Sequence, residues 1–426
     1  MIPSRKQDLQ EAIQREGKKF EQYYLWMESH LPPSFFEDAD SETVMLVAHS
    51  LMGFDVQDYF SHIHFKNKAI ALCLDSSDAD LQILRHYRNR GIKNYRTFVS
   101  NVPPPFPDIK ANLRVAVIYF TEFHEEAKKD IMLADRMKEI FQQVKSRNPN
   151  VTETEFKQLI DEMNGRFLRS LTKERLILAF DVFFRAKLRD PCQIEMIRNE
   201  EWKEKKDVPS LQIVLAWRNV PKHDFLFRLT RVIHRHGLAL TRMAATYIDP
   251  YSRNNILLMS LGVHGMKGKA AWEETDIDDF LQELVTVKYF PGQETIETTF
   301  VDNHLVRGNL GNLIKTWVHL VHQILVHADP YLYSFANIEE GLCRHPELTV
   351  MLTEAFEARF HPEKHDLNRF NKIREELAAL VDKIDTGQEA NDNRRKNILK
   401  EALNCIDYTL KTNFYRKNKT AFSFRL

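Results

Sequence analysis

The residues best suited to chemistry in this sequence are histidines, arginines and one polar loop. His319, His322 and His327 fall within "WVHLVHQILVHAD". Two imidazoles at i and i+3 of a helix can share a metal ion, but His327 lies too far along the same helix to converge with both. No carboxylate follows at a matching i+4 position, so the three read as hydrogen-bonded histidines of a packed helix. His62 and His64 in "SHIHF" share a strand face and make half a ligand set. They read as a polar strand face, and no metal site is assigned. Arg228, Arg231 and Arg235 follow i, i+3, i+7 spacing. Such a stripe can receive a carboxylate or an acidic partner; here it reads as a solvated helix face.

The loop "WRNVPKHD" (Trp217–Asp224) runs from a strand pattern into a helix pattern. Backbone N–H groups at a helix N-terminus suit a small anion such as an amino-acid carboxylate. Asn219, Lys222, His223 and Asp224 are therefore the candidate effector-binding residues. The competing reading is an ordinary connection with Asp224 near the cap. The sequence contains no G-x-S-x-G, H-E-x-x-H, G-x-G-x-x-G or G-x-x-x-x-G-K-[ST] motif, and glycine is scarce at 13 of 426 residues. No catalytic residue is assigned, and no cofactor site is expected in this chain.

The composition narrows the field further. Lys+Arg 60 balances Asp+Glu 60, which argues against a nucleic-acid or anionic-membrane surface. No apolar stretch approaches the roughly 18 residues a membrane helix requires, and the start is polar and amphipathic. The four cysteines lie far apart without a C-x-x-C pair, which suits free thiols and a cytoplasmic location.

These residues must be positioned by elements whose patterns are readable. Residues 1–150 read as a small mixed sheet with helices, the helices over Lys6–His30, Ser41–Met52, the segment from Asp78 and Glu122–Lys145. Residues 151–270 read as a helical connector, Glu153–Leu171 and Lys173–Leu188, followed by β-α-β-β. Leu211, Ile213, Leu215 and Trp217 alternate along the first strand, Phe225, Leu226, Leu229, Val232 and Ile233 form a helix face, and Gly237 ends the helix. The charged run Glu200–Asp207 reads as a solvated linker. Residues 271–426 read as mainly helical, over Asp276–Val285, Asn303–Val326, Pro346–Phe360, Asp366–Ile384 and Arg394–Thr412. A lone period-2 strand, Ala421–Leu426, closes them. A single strand is not stable alone, so the segment from about Lys417 is expected to be poorly packed or held only by a makeshift contact. The fold class expected is α+β.

Two resemblances rest on these segments. "LQIVLAWRNVPKHDFLFRLTRVIHRHGLALTRM" resembles the opening of an ACT-type regulatory domain, in which a strand meets a D/N-x-P-G turn, then an amphipathic helix, then "HG" and a strand. Asn219, Pro221 and His236–Gly237 match, while Lys222 stands where that family usually has glycine. More widely, "LKTNFYRKNKTAFSFRL" and "EAFEARFHP" are similar to the junction that precedes the catalytic part of the large NAD-specific glutamate dehydrogenases. That resemblance implies an N-terminal regulatory and oligomerisation region with ACT-like modules in the first and middle regions. NAD and the oxidative deamination of L-glutamate would belong to catalytic domains further along. It also implies a homo-oligomer or the catalytic portion as partner, and an amino-acid effector. A stand-alone amino-acid-sensing protein acting in trans is the alternative. The chain alone is expected neither to bind NAD specifically nor to oxidise glutamate. Glutamate-dependent NADH formation by pure protein, abolished by a substitution within it, is the contrary result.

Overall fold

The computed structural model describes all residues except 1–10, 12, 54–59, 107–108, 121–130, 164, 190–191, 199–209, 250–254, 290–293, 417–418 and 420. The linker Glu200–Asp207 and the starts of the helices expected over Lys6–His30 and Glu122–Lys145 lie wholly or partly outside them. The chain divides into two compact units, Met1–Ile277 and Asp278–Leu426. No described helix is long and apolar enough to cross a membrane.

The first unit opens with helices α1 (Lys18–His30), α2 (Pro33–Asp38) and α3 (Ser41–Leu51). Gly17 precedes α1 with φ 84°, a left-handed conformation that breaks the long helix expected there. Strands β1 (Phe60–His64) and β2 (Lys68–Leu74), helix α4 (Ala79–His86), and strands β3 (Ile92–Val99) and β4 (Leu113–Phe120) follow. Next come α5 (Ile131–Arg147), α6 (Glu153–Glu162), α7 (Gly165–Ser170) and α8 (Lys173–Leu188). Strands β5 (Gln193–Arg198) and β6 (Leu211–Arg218), helix α9 (Phe225–Arg235), and strands β7 (Leu238–Ile248) and β8 (Ile256–Gly265) complete the sheet, and the short α10 (Ala271–Glu274) follows.

The eight strands form one sheet in the order β1-β2-β4-β3-β7-β8-β6-β5. Every pairing is antiparallel. The mixed sheet expected in residues 1–150 is thus corrected. The helix α4 carries the chain between β2 and β3, and β4 then inserts between them. The order also exposes a repeat. A helix, two strands, a crossover helix and two strands occur first as α3-β1-β2-α4-β3-β4 and again as α8-β5-β6-α9-β7-β8. Residues 1–150 and 151–270, expected as separate domains, share this sheet through β3 and β7.

Side chains alternate across a strand, and here both faces are covered. One face packs Ile70, Leu72, Val115 and Val117 against α1–α3. In the second repeat it packs Val214, Ala216 and Leu258 against α5–α8. The other face carries α4 and α9, with Trp217 edge-on to Phe225 at 5.8 Å. Seven of the eight residues of β6 are therefore buried, although only alternate ones are strongly apolar in pattern. Strand β5 escaped the sequence reading because it is an edge strand with exposed Met196 and a mixed pattern.

The second unit is helical: α11 (Ile277–Leu284), α12 (Glu294–Ile296) running into a π-helical turn (Glu297–Asp302), α13 (Gly308–Leu325), α14 (Phe335–Arg344), α15 (Pro346–Phe360), α16 (Leu367–Asp382) and α17 (Glu389–Tyr408). Helix α14 was not expected, because Gly341 weakens its pattern. That glycine is needed for packing: a Cβ there would lie 2.8 Å from Ile398 Cδ1. The tail is held by a short pairing and two half-buried rings. Strand β10 (Phe424–Arg425) pairs with β9 (Lys411–Thr412), and Ser423 N donates to Asn413 Oδ1 at 2.8 Å. Phe422 and Phe424 pack half-buried on the helical core, where the Phe424 ring lies 6.2 Å from that of Phe356. Leu426 alone of the three remains 56% exposed. The missing partner strand lies upstream, just past α17. Phe424→Ala is expected to cost about 1–2 kcal/mol and lower the melting temperature by a few degrees. An unchanged melting curve would show that the tail contributes nothing.

Candidate functional site

Helices α4 and α9 meet above the seam between the two repeats. The seam is short: Asn94, Tyr95 and Arg96 of β3 face Ala244, Met243 and Arg242 of β7. Asp224 N donates to Arg88 O at 2.6 Å, joining the start of α9 to the turn after α4. At the other end of the pair, Asp78 at the start of α4 is held below the usual carboxylate range by hydrogen bonds from Gln82 and Ser76, with His234 near the end of α9 adding to the effect. The two helices therefore run antiparallel across the seam, each start beside the other's end.

The first junction forms a cleft of about 300 Å³, counting its open mouth. Arg88 and Arg90 line it from the first repeat, and Lys222, Asp224 and Tyr247 from the second. The Arg90 guanidinium stacks 3.6 Å from the centre of the Phe120 ring, and Lys222 Nζ lies 5.8 Å from that of Tyr247. Burial pushes the Tyr247 and Tyr87 phenols above their usual range, so both walls stay neutral. The carboxylate of Asp224 faces Arg228 at 3.2 Å. Three basic side chains thus line the cleft together with one carboxylate, side chains of the kind that bind a carboxylate-bearing ligand.

Of the four loop residues picked from the sequence, Lys222 and Asp224 enter this cleft, whereas Asn219 and His223 are exposed and do not line it. Asn219 adopts φ 55° and serves the turn, its N–H bonded to Asn255 O at 2.9 Å. The chemistry also differs from a backbone anion hole. Asp224 occupies the N-cap position with φ 60°, its amide is taken by Arg88, and its own negative charge sits at the helix start. The polar groups that line the cleft are side chains. Sequence reasoning missed Arg88 and Arg90, which lie about 130 residues upstream of the loop; no local signal marks them.

The arginine stripe of α9 is not solvated. Arg228 and Arg231 are buried, as is every residue from Phe225 to Ile233, and Arg235 is half-buried; α9 packs on β7 and alongside α4. The Phe227 ring lies between Arg231 at 5.9 Å and Arg85 of α4 at 5.7 Å.

The opposite face of the seam holds a second cleft, of about 260 Å³ counting its open mouth, lined by Arg96, Arg175 and Arg242 together with Asn94, Ser170 and Ser260. Arg96 and Arg242 stand directly opposite each other across β3 and β7. His319 and His322 of α13 pack on Phe335 of α14, at 5.1 Å and 3.8 Å between ring centres, and His327 lies past the end of α13.

What holds α4 in place is a buried ionic network beneath it. Arg114 of β4 binds Asp80 of α4 at 2.9 Å and Asp75 at 2.7 Å, and Tyr95 donates to Asp80. Burial opposes the charge on Arg114, but Asp80 and Asp75 outweigh it and raise its pKa, so it stays protonated. Burial also raises Asp80, with Arg114 pulling the other way.

No protein-family model matches the chain, and no curated protein matches it.

Removing one partner of a buried pair strands the other charge. Arg114→Met is expected to destabilise the first unit by about 3–5 kcal/mol, measured by urea unfolding. The double variant Arg114→Met/Asp80→Leu is expected to recover much of that loss. Equal losses in single and double variants would show that the two are not coupled.

Proposed function

We propose that this chain is the regulatory and assembly region of a large NAD-dependent glutamate dehydrogenase, and that it senses an amino-acid carboxylate at the seam between two ACT-like repeats. The observation that carries the reading is the cleft in which Arg88 and Arg90 of one repeat meet Lys222 of the other. Each repeat has the strand-helix-strand-strand order of an ACT-like module, and the glutamate dehydrogenase reading rests on the similarity of Leu410–Leu426 and Glu354–Pro362 to that family's junction.

The space between the cleft side chains is about that of one water molecule. A ligand therefore enters by displacing Lys222 from Tyr247 and drawing the two repeats onto itself. Its free energy then depends on how the repeats are seated, which is what a regulatory signal requires. The regulated reaction is L-glutamate + NAD + water to 2-oxoglutarate + ammonia + NADH. The NAD and glutamate sites belong to the catalytic portion with which this region assembles, and self-association into a homo-oligomer is part of the same reading.

The test is calorimetry and thermal shift of the full chain with the twenty amino acids, 2-oxoglutarate and nucleotides. A carboxylate ligand at 100 times its Kd is expected to stabilise the first unit by about 2.7 kcal/mol, a rise of several degrees. Lys222→Glu and Arg88→Glu are expected to weaken that ligand at least about tenfold, the loss of one charge-assisted hydrogen bond. No response to any compound, or an undiminished response in both variants, overturns the reading.

A further inference from the structure

The first repeat brings together three imidazoles far from the cationic clefts. Strand β1 is at the edge of the sheet, and His62 and His64 lie on the face that α4 covers. Their cross-strand neighbours on β2 are Ala71 and Ala69, small residues that leave the space above β1 to the imidazoles. The last residue of α4, His86, reaches into that space. The rings of His62 and His86 stack with centres 4.0 Å apart, and those of His62 and His64 lie 5.9 Å apart. One ring nitrogen from each histidine lies within 4.8 Å of the other two. Among the described residues this is the one group of three or more histidine, cysteine or acidic side chains close enough to share an ion.

We propose that His62, His64 and His86 bind a single divalent transition-metal ion of the Zn2+, Ni2+ or Cu2+ kind. A tetrahedral ion with metal–nitrogen bonds of about 2.0–2.1 Å sets its ligand nitrogens about 3.4 Å apart. Closing the triad to that spacing takes only side-chain rotation, and His64 and His86 are both exposed and able to turn. His62 is already oriented, since its Nδ1 lies 2.8 Å from the Tyr87 hydroxyl. With Nδ1–H donating to that oxygen, Nε2 keeps the lone pair that a metal takes. A hydrogen bond of this kind from the second ring nitrogen is the usual partner of a metal-binding histidine. Imidazole donors without oxygen ligands select zinc, nickel and copper over calcium and magnesium. Three protein ligands leave one position of the ion open to water or a fourth donor. The bound ion ties the end of α4 to the edge strand, because β1 supplies two ligands and α4 the third.

The experiment uses the full chain, stripped of metal by chelation and titrated calorimetrically with Zn2+ and with Ni2+. One site is expected whose affinity falls at least about tenfold in His64→Gln and in His86→Gln and is unchanged in His319→Gln. Both substituted side chains are exposed, so the variants should keep the native circular dichroism spectrum. With Cu2+, the native chain is expected to show electron-spin coupling to several nitrogens that is reduced in His86→Gln. Tyr87→Phe, which removes only the positioning hydroxyl, should weaken the ion without changing the number of nitrogens seen. Zn2+ should raise the melting temperature of the native chain and leave the His64→Gln/His86→Gln double variant unmoved. A native chain that takes up neither Zn2+ nor Ni2+, or a double variant that binds as the native chain does, overturns the proposal.

Discussion

Three residue pairs between β3 and β7 hold the first unit together as one body. Without them each repeat would present an open strand edge, with unpaired N–H and C=O groups available to any other chain. Pairing closes both edges at once and makes one eight-stranded sheet from two four-stranded halves. It also fixes where the helices fall. Because β3 and β7 run antiparallel, α4 and α9 lie antiparallel over the seam, and the turn after α4 meets the loop before α9. The cationic cleft is a product of that pairing and belongs to neither repeat alone.

Charge is handled in two different ways within this unit. Beneath α4, Arg114 is surrounded by Asp80, Asp75 and the Tyr95 hydroxyl, so a buried cation is neutralised by groups of its own repeat. Such a network gives little net stability over an apolar core, but losing either partner strands a buried charge. At the seam basic side chains from both repeats are grouped. Arg88, Arg90 and Lys222 gather on one face, and Arg96, Arg175 and Arg242 on the other. The whole sequence is neutral, so this grouping of basic side chains is made by the fold and is invisible in the net charge.

The second unit solves its packing with aromatic rings. Phe356 of α15 touches Trp317, Phe360, Phe414, Tyr415 and Phe424, at 4.9–6.2 Å between ring centres. The short β9–β10 pair brings Phe422 and Phe424 onto this cluster. A two-residue ladder has little stability of its own; the rings anchored on the helices hold it.

The sequence by itself determined the elements whose patterns are strong and local. The β-α-β-β run from Leu211 to Gly265 appears where alternation and the Phe225–Ile233 spacing place it, and Gly237 ends α9 with φ 71°. The longer helices of the second unit were legible in the same way, apart from α14, whose glycine serves the packing of Ile398; the short α12 and the π-helical turn after it were not expected. Of the candidate site, Lys222 and Asp224 could be picked out because they adjoin a helix start. Only the tertiary structure decided the rest. It paired β3 with β7, and so brought Arg88 and Arg90 to Lys222 and set Arg96 against Arg242. It buried Arg228 and Arg231 of α9, and it carried His86 to His62 and His64. Periodicity reports which face of an element is apolar, since that depends on residues a few positions apart. It carries no information on which edge pairs with which, because strand pairing is made by backbone groups that every residue shares.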